Sequence, residues 1–279
     1  MLSYRHSFHA GNHADVLKHT VLCLILDAMI SKDKPFVYMD THAGAGSYRL
    51  NTPQAAKTAE YLAGVGALWG KDWPTSALSY HNHLKALNPA GPLRLYPGSP
   101  KLAHGYLRAG DRMLLTELHS SDFPRLAELF RKDRKVKVYQ ENGYQRLKAS
   151  VPPPERRGLV LIDPSYEVKT EYLEAVGTMI EACKKWATGI YALWYPVVDR
   201  REVRLLENKL KSSGIRKILQ LELDVLPDTQ ERGMTGSGML IINPPWTLLK
   251  DMESLFPWLL EGMKQSEQSR WVARWLVQE

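Results

Sequence analysis

The stretch Arg157-Gly158-Leu159-Val160-Leu161-Ile162-Asp163-Pro164-Ser165-Tyr166 decides how the chain is read. Residues 159–162 form a short, unbroken apolar run, fenced upstream by Pro152, Pro153, Pro154 and Gly158. That is the pattern of a strand buried on both faces of a parallel sheet. The run ends in an acid, a rigid bend and an aromatic, at the carboxyl end where open α/β sheets hold their ligands. A carboxylate and the next carbonyl both accept from an NH2 group, and an aromatic plane stacks on a base. Asp163, Pro164 and Tyr166 therefore suit the capture of an aromatic amine. A second reading stands beside it, in which Asp163 caps a helix that starts near Lys169.

Working upstream, a helical pattern at 14–30 leads to a strand at 36–40. That strand runs straight into Asp40-Thr41-His42-Ala43-Gly44-Ala45-Gly46. Residues 48–99 break the rhythm, with two helical patterns (54–69 and 75–87) and no strand. The next strand, 112–118, comes far later than a βα unit requires. Residues 48–99 thus read as a helical insertion in a core made of 1–47 and 100–279. Further on, strands at 135–140, 189–195, 217–226 and 238–243 alternate with helices at 123–132, 143–149, 170–186, 199–213 and from about 248. The alternation predicts an α/β fold, a parallel sheet with helices on both faces. Only 227–237 separates the last two strands, too short for a helical crossover, so they should be antiparallel neighbours. In the tail, 269–278, Trp271 and Trp275 fall four apart and read as a packing stripe.

The 279 residues suffice for one large domain or two small ones, and the net charge of +7 is compatible with a polyanionic partner. Cys23 and Cys183 lie in apolar helical patterns and make no metal or redox motif, which points to a reduced, cytoplasmic setting. The polar, histidine-rich start is not a signal peptide. No stretch is long and apolar enough to cross a bilayer.

A strand, then Gly44 and Gly46, then a helix outlines a nucleotide-binding loop. The third glycine of a dinucleotide site is missing at Arg49, and so is a phosphate-loop Gly-Lys-Ser/Thr ending. The loop begins with Asp40, which would repel a pyrophosphate but attract the ammonium and sulfonium of S-adenosylmethionine. Charge therefore favours the methyl donor over NAD or ATP. The next strand ends in Glu117, placed for ribose hydroxyls, and the one after in Asn142-Gly143, placed for an adenine edge.

With Asp40–Gly46 on the first strand and Asp-Pro-Ser-Tyr on the fourth, the chain resembles the Rossmann-like, S-adenosylmethionine-dependent amino-methyltransferases. The N-terminal run from Tyr4 to His19, the Asp40–Gly46 loop and residues 236–246 narrow this further. Over essentially its whole length the sequence resembles the RlmJ family of 23S ribosomal RNA adenine-N6-methyltransferases. The resemblance implies a seven-stranded sheet with its last strand antiparallel, a small helical insertion, and a monomer acting on naked ribosomal RNA. It also implies adenine 2030 as the target, with S-adenosylhomocysteine as the product of the donor. Position by position, it assigns donor binding to His19, His42, Ser99, Glu117, Asn142, Gly143 and Asp163. Tyr4, His6 and Lys18 match positions near the reaction centre and the RNA. Ser165 departs from the second proline found in the wider class; it loosens the bend while leaving both acceptors in place.

Asn243-Pro244-Pro245-Trp246 imitates the same motif. On a reversed strand, however, it ends far from Gly44, and it reads as a strand-terminating turn with a packed Trp. His6, His9, His13, His19 and His42 crowd the first 42 residues. They lack a companion metal motif, so no metal site is expected, and contacts to RNA phosphate or a donor carboxylate suit them. For His9 and His13 a core or surface role stands equally. The expected chemistry is extrusion of an adenosine, stacking on Tyr166, and an amine held by Asp163 and Pro164. Lys18, Arg5, Lys57, Lys71 and Lys85 are candidates for phosphate contact, although Lys18 is by default solvated. The rival readings are a DNA adenine or protein glutamine N-methyltransferase, and a non-catalytic RNA-binding module.

Overall fold

The structure, a computed structural model, describes residues 5–228 and 233–278; Tyr4 lies outside them. After a 3-10 turn at His6–Phe8, helix α1 (His13–Ile30) starts at Asn12, whose side chain accepts from the Asp15 amide at 3.0 Å. Fourteen of the 18 residues of α1 are buried, because its apolar surface runs almost all the way round and other elements cover it. Strand β1 (Val37–Asp40) follows. Then come β2 (Ser47–Arg49), α2 (Pro53–Thr58), α3 (Glu60–Ala63), α4 (Val65–Leu68), α5 (Leu78–Leu87) and β3 (Leu95–Pro97). After them come α6 (Ser99–His104), β4 (Arg112–Thr116), α7 (Phe123–Phe130), β5 (Val136–Tyr139), α8 (Gly143–Ser150) and β6 (Gly158–Ile162). The chain goes on through α9 (Thr170–Lys185), β7 (Ile190–Val197), α10 (Arg200–Lys211), β8 (Ile218–Asp224), β9 (Gly236–Ile242), α11 (Leu248–Met263) and β10 (Arg270–Val277).

Eight strands form one sheet in the order β10-β8-β9-β7-β6-β1-β4-β5. β1 pairs in parallel with both β4 and β6, while β9 runs antiparallel to β7 and β8. This is the Rossmann-like sheet of the class I methyltransferases, with helices on both faces. Alternation splits β1 between two cores. Tyr38 packs with α1, α5, α6 and α11, whereas Val37 and Met39 pack with α8, α9 and α10. β6 is buried at all five positions, as its unbroken apolar run predicts.

Two expectations need correction. The tail, read only as a packing stripe, is an eighth strand, β10, antiparallel to β8 and beyond the seven expected. It does pack, with Trp271 stacked on Phe256 at 5.3 Å between ring centroids. A four-residue spacing satisfies a period of 2 as well as one of 3.6, so the two tryptophans alone did not discriminate. Residues 48–99 were expected to hold no strand, yet β2 and β3 pair antiparallel there, from Ser47 opposite Pro97 to Arg49 opposite Leu95. Three-residue strands are too short to leave a periodic signature. Among the described residues, no helix is long and apolar enough to cross a membrane.

Candidate active site

Around β1 the chain reverses its direction of winding, and ligands of α/β sheets sit at that switch point. Here the loops leaving β1, β4, β5, β6 and β7 open into one cavity of about 1100 Å3.

One half of the cavity is backbone-rich. Gly44, at φ +58°, points its amide at Glu117 Oε2 (2.7 Å), and Glu117 Oε1 takes the His119 amide at 2.6 Å. Burial raises the Glu117 carboxyl above its ordinary pKa, against the pull of those two amides. At Gly143, a Cβ would lie 2.0 Å from the Thr41 carbonyl oxygen, so the start of α8 touches the β1 loop backbone to backbone. Asn142 caps α8 by accepting from the Gln145 amide at 3.0 Å. His42 lies 2.8 Å from the Thr41 hydroxyl and edge-on to Tyr144, and burial lowers its pKa to about 4. His19 also borders the cavity, bonded at 2.8 Å to the Tyr96 hydroxyl, and burial lowers its pKa to about 3. Both imidazoles are neutral at pH 7.

Asp40 and Gly46, expected to touch the donor, do not line this cavity. Asp40 is 1% exposed. Its Oδ2 accepts from the Tyr38 and Ser99 hydroxyls at 2.8 and 2.7 Å, and its Oδ1 from the His42 amide at 3.2 Å. Burial pushes its carboxyl up to about 6. Asp40 therefore braces the loop from behind, and Gly46 packs toward Leu126 and Leu129 of α7. Ser99 does border the cavity, but its hydroxyl is spent on Asp40. Of the strand-end acids named from the sequence, Glu117 and Asp163 line the cavity, together with further carboxylates that include Asp122, Glu167 and Glu171.

The other half holds an ionic chain. Lys18 Nζ donates to Asp163 Oδ2 at 2.6 Å, lies 2.8 Å from Asp15 Oδ1, and sits 5.6 Å from the Trp194 ring centroid. Burial works to neutralise this ammonium, yet Asp15 and Asp163 hold its pKa well above the ordinary lysine value. Asp15 Oδ2 in turn meets His6 Nε2 at 2.9 Å and the Gly11 amide at 2.8 Å. Lys18 is 4% exposed, which corrects the expectation that it is solvated, since buried Asp15 and half-buried Asp163 both pair with its charge. Of the other phosphate candidates, Arg5, Lys57, Lys71 and Lys85 are exposed. Tyr166 adopts φ +53°, and its hydroxyl donates to the Trp194 carbonyl at 2.5 Å, fixing the ring beside Tyr172. Pro164 and Ser165 line the same wall. The capping alternative for Asp163 fails, because α9 begins at Thr170 with Lys169 in the N-cap position and no side-chain cap.

Sequence reading missed Asp15, Glu60 and Trp194. Asp15 stands three residues before Lys18, a spacing that places both on one helix face, and that was the available signal. Glu60 binds His9 at 2.9 Å and Asn12 at 2.9 Å across 51 and 48 residues, and nothing local announces it. His13 is buried with its Nε2 unpartnered, and burial lowers its pKa to about 4. Asn243 does lie at the opposite end of the sheet, opposite Lys217, but Trp246 is 92% exposed rather than packed. Pro244 and Pro245 carry the chain outward before α11 begins.

A glycine loop on the first strand and Asp-Pro-Ser-Tyr on the fourth parallel strand, facing one cavity with acids for a cationic ligand, define a class I methyltransferase. The family model described as ribosomal RNA large subunit methyltransferase D, RlmJ, matches residues 33–277. The chain belongs to this family. It is 52% identical to ribosomal RNA large subunit methyltransferase J of Escherichia coli (strain K12), over 100% of both chains. To the protein of the same name from Haemophilus influenzae it is 50% identical, again over 100% of both. Among solved structures, protein LPL1258 from Legionella pneumophila matches with a TM-score of 0.89 and 37% identity, covering 96% of this chain and 98% of that one.

Proposed function

We propose that the enzyme methylates N6 of one adenosine in 23S ribosomal RNA, adenine 2030 by the family resemblance, using S-adenosylmethionine. The observation that carries the reading is Asp163-Pro164-Ser165-Tyr166 opening into the same cavity as the Gly44 loop. The residues fit the donor. Glu117 has acceptor capacity beyond its two amide bonds, Gly143 leaves bare backbone, and neutral His19 and His42 add polar contacts without charge. Bound there, the donor supplies a methyl group activated by a cationic sulfur.

The chain's own residues prepare the amine. Lys18 holds Asp163 Oδ2, so that Oδ1 and the Pro164 carbonyl face N6 and draw its hydrogens, localising the nitrogen lone pair. Tyr166, tied to β7 through its hydroxyl, offers a fixed plane for an extruded base. Positioning of this kind lowers the barrier by removing orientational entropy, and Asp163 receives the proton released afterwards. Residues 48–99 act as a helical subdomain, with Lys57, Lys71 and Lys85 turned to RNA phosphate. The protein works as a cytoplasmic monomer.

Asp163→Ala is expected to abolish methyl transfer from labelled donor to ribosomal RNA, with the fold intact by circular dichroism. Retained turnover refutes the assignment. Offering donor with total RNA, DNA and protein separates the RNA reading from DNA adenine or protein glutamine methylation. A calorimetric titration with donor excludes the non-catalytic RNA-binding module if binding is seen.

A further inference from the structure

The far end of the sheet carries a charge pattern that the active site does not use. Helices α9 and α10 each end in two lysines, Lys184 with Lys185 and Lys209 with Lys211. Arg216 and Lys217 then lead into β8. Segments 184–189 and 209–217 hold these six cations and no acid. The pattern extends around that end. The segments entering the six parallel strands (31–36, 107–112, 131–135, 148–157, 184–189 and 209–217) hold 17 Lys or Arg against four Asp or Glu. The segments leaving β4 to β7 on the cavity side (117–122, 140–142, 163–169 and 198–200) hold two cations against six acids.

Lysines in a last helical turn complement the helix dipole, which accounts for the four on α9 and α10 taken singly. Arg216 and Lys217 lie beyond the last turn of α10, which ends at Lys211. A cleft of about 450 Å3 is lined by Lys184, Arg216, Lys217 and Asn243. Asn243, at φ +55°, donates to the Ala187 and Gly189 carbonyls at 2.8 and 2.9 Å, which fixes the turn. Three residues on, Trp246 is the most exposed large apolar side chain among the described residues. An exposed indole three residues from a turn that borders clustered cations supplies the two elements that grip single-stranded nucleic acid, stacking and phosphate attraction.

We propose that this end is a second RNA-binding surface, where Trp246 stacks an unpaired base while Lys184, Arg216 and Lys217 meet phosphates. The inference rests on RNA being the substrate. β7 spans the sheet over about 25 Å, so one nucleotide cannot reach both sites, but a folded RNA of several base pairs can.

The test compares a 23S ribosomal RNA transcript with a short hairpin around the methylated adenosine. Trp246→Ala, and separately Lys184→Glu with Arg216→Glu, should weaken transcript binding at least about fivefold and raise its KM. The double charge change should also flatten the salt dependence by about two phosphates. Turnover of the short hairpin and donor affinity should stay unchanged. If Trp246→Ala misfolds, the surface charge variant carries the test alone. Transcript affinity and KM equal to those of the unmodified protein overturn the proposal, and so does a change confined to self-association in sedimentation. If the unmodified protein methylates no RNA, the functional reading itself falls, a separate outcome.

Discussion

Lys18 bridges Asp15 and Asp163, and removing one end of the bridge or its middle predicts unequal costs. Removing Asp163 still leaves Lys18 paired with Asp15 at 2.8 Å, so the fold should tolerate Asp163→Ala. Removing the ammonium takes the ion-pair partner from Asp163 and leaves buried Asp15 with only His6 and the Gly11 amide. Lys18→Met is therefore expected to cost roughly 3–5 kcal/mol, the range for breaking a buried pair by deleting one partner. Urea unfolding of the two variants side by side measures the difference, with Lys18→Met the less stable. Half of this arrangement was legible in the sequence, since Asp15 and Lys18 are a turn apart. The other half was not, because Asp163 lies 145 residues away from Lys18. The same limit explains Asp40. Its position at a strand end was readable, but the hydroxyls of Tyr38 and Ser99 that turn it inward were not.

Among the elements, β10 has the clearest consequence. It covers the edge of β8, stacks Trp271 on Phe256, and brings Arg270 within 2.9 Å of Asp224, a carboxyl whose pKa burial raises. Deleting residues 270–279 would bare a row of unpaired backbone groups along β8, and such edges recruit other chains. The truncated protein is expected to melt at a lower temperature and to aggregate on size-exclusion chromatography. The strands of the parallel core were readable because a buried strand needs a continuous apolar run, as in β6. The peripheral β2, β3 and β10 escaped notice because each is defined by its partner. Their short or ambiguous periodicity says little until that partner is in place.

Three buried histidines give the protein as a unit its expected pH response. His13, His19 and His42 have pKa values lowered by burial to about 4, 3 and 4. In the unfolded chain they titrate near 6.5, so their contribution is complete above that pH and is lost as pH falls toward the folded values. Each adds a slope approaching about 1.4 kcal/mol per pH unit. Asp40, pushed up to about 6, works in the opposite sense. Its ionisation disfavours the folded state as pH rises from about 4 to 6, so acidification there offsets one of the three histidines. Taken alone, these four groups are expected to lower urea midpoints between pH 6.5 and 4.5 by about two protons' worth of stability. The fall is made smaller by Asp27, Glu117, Glu171, Glu222 and Asp224, whose carboxyls burial raises in the sense of Asp40. His19→Gln should make the decline shallower.

Helix α1, enclosed by β9, α5, α6 and α11, carries both Lys18 and His19. A rod walled in so completely cannot serve as a hinge. Any opening that admits a folded RNA must come from the parts arranged around it, and those parts move against a fixed post to which the reacting carboxylate is tethered.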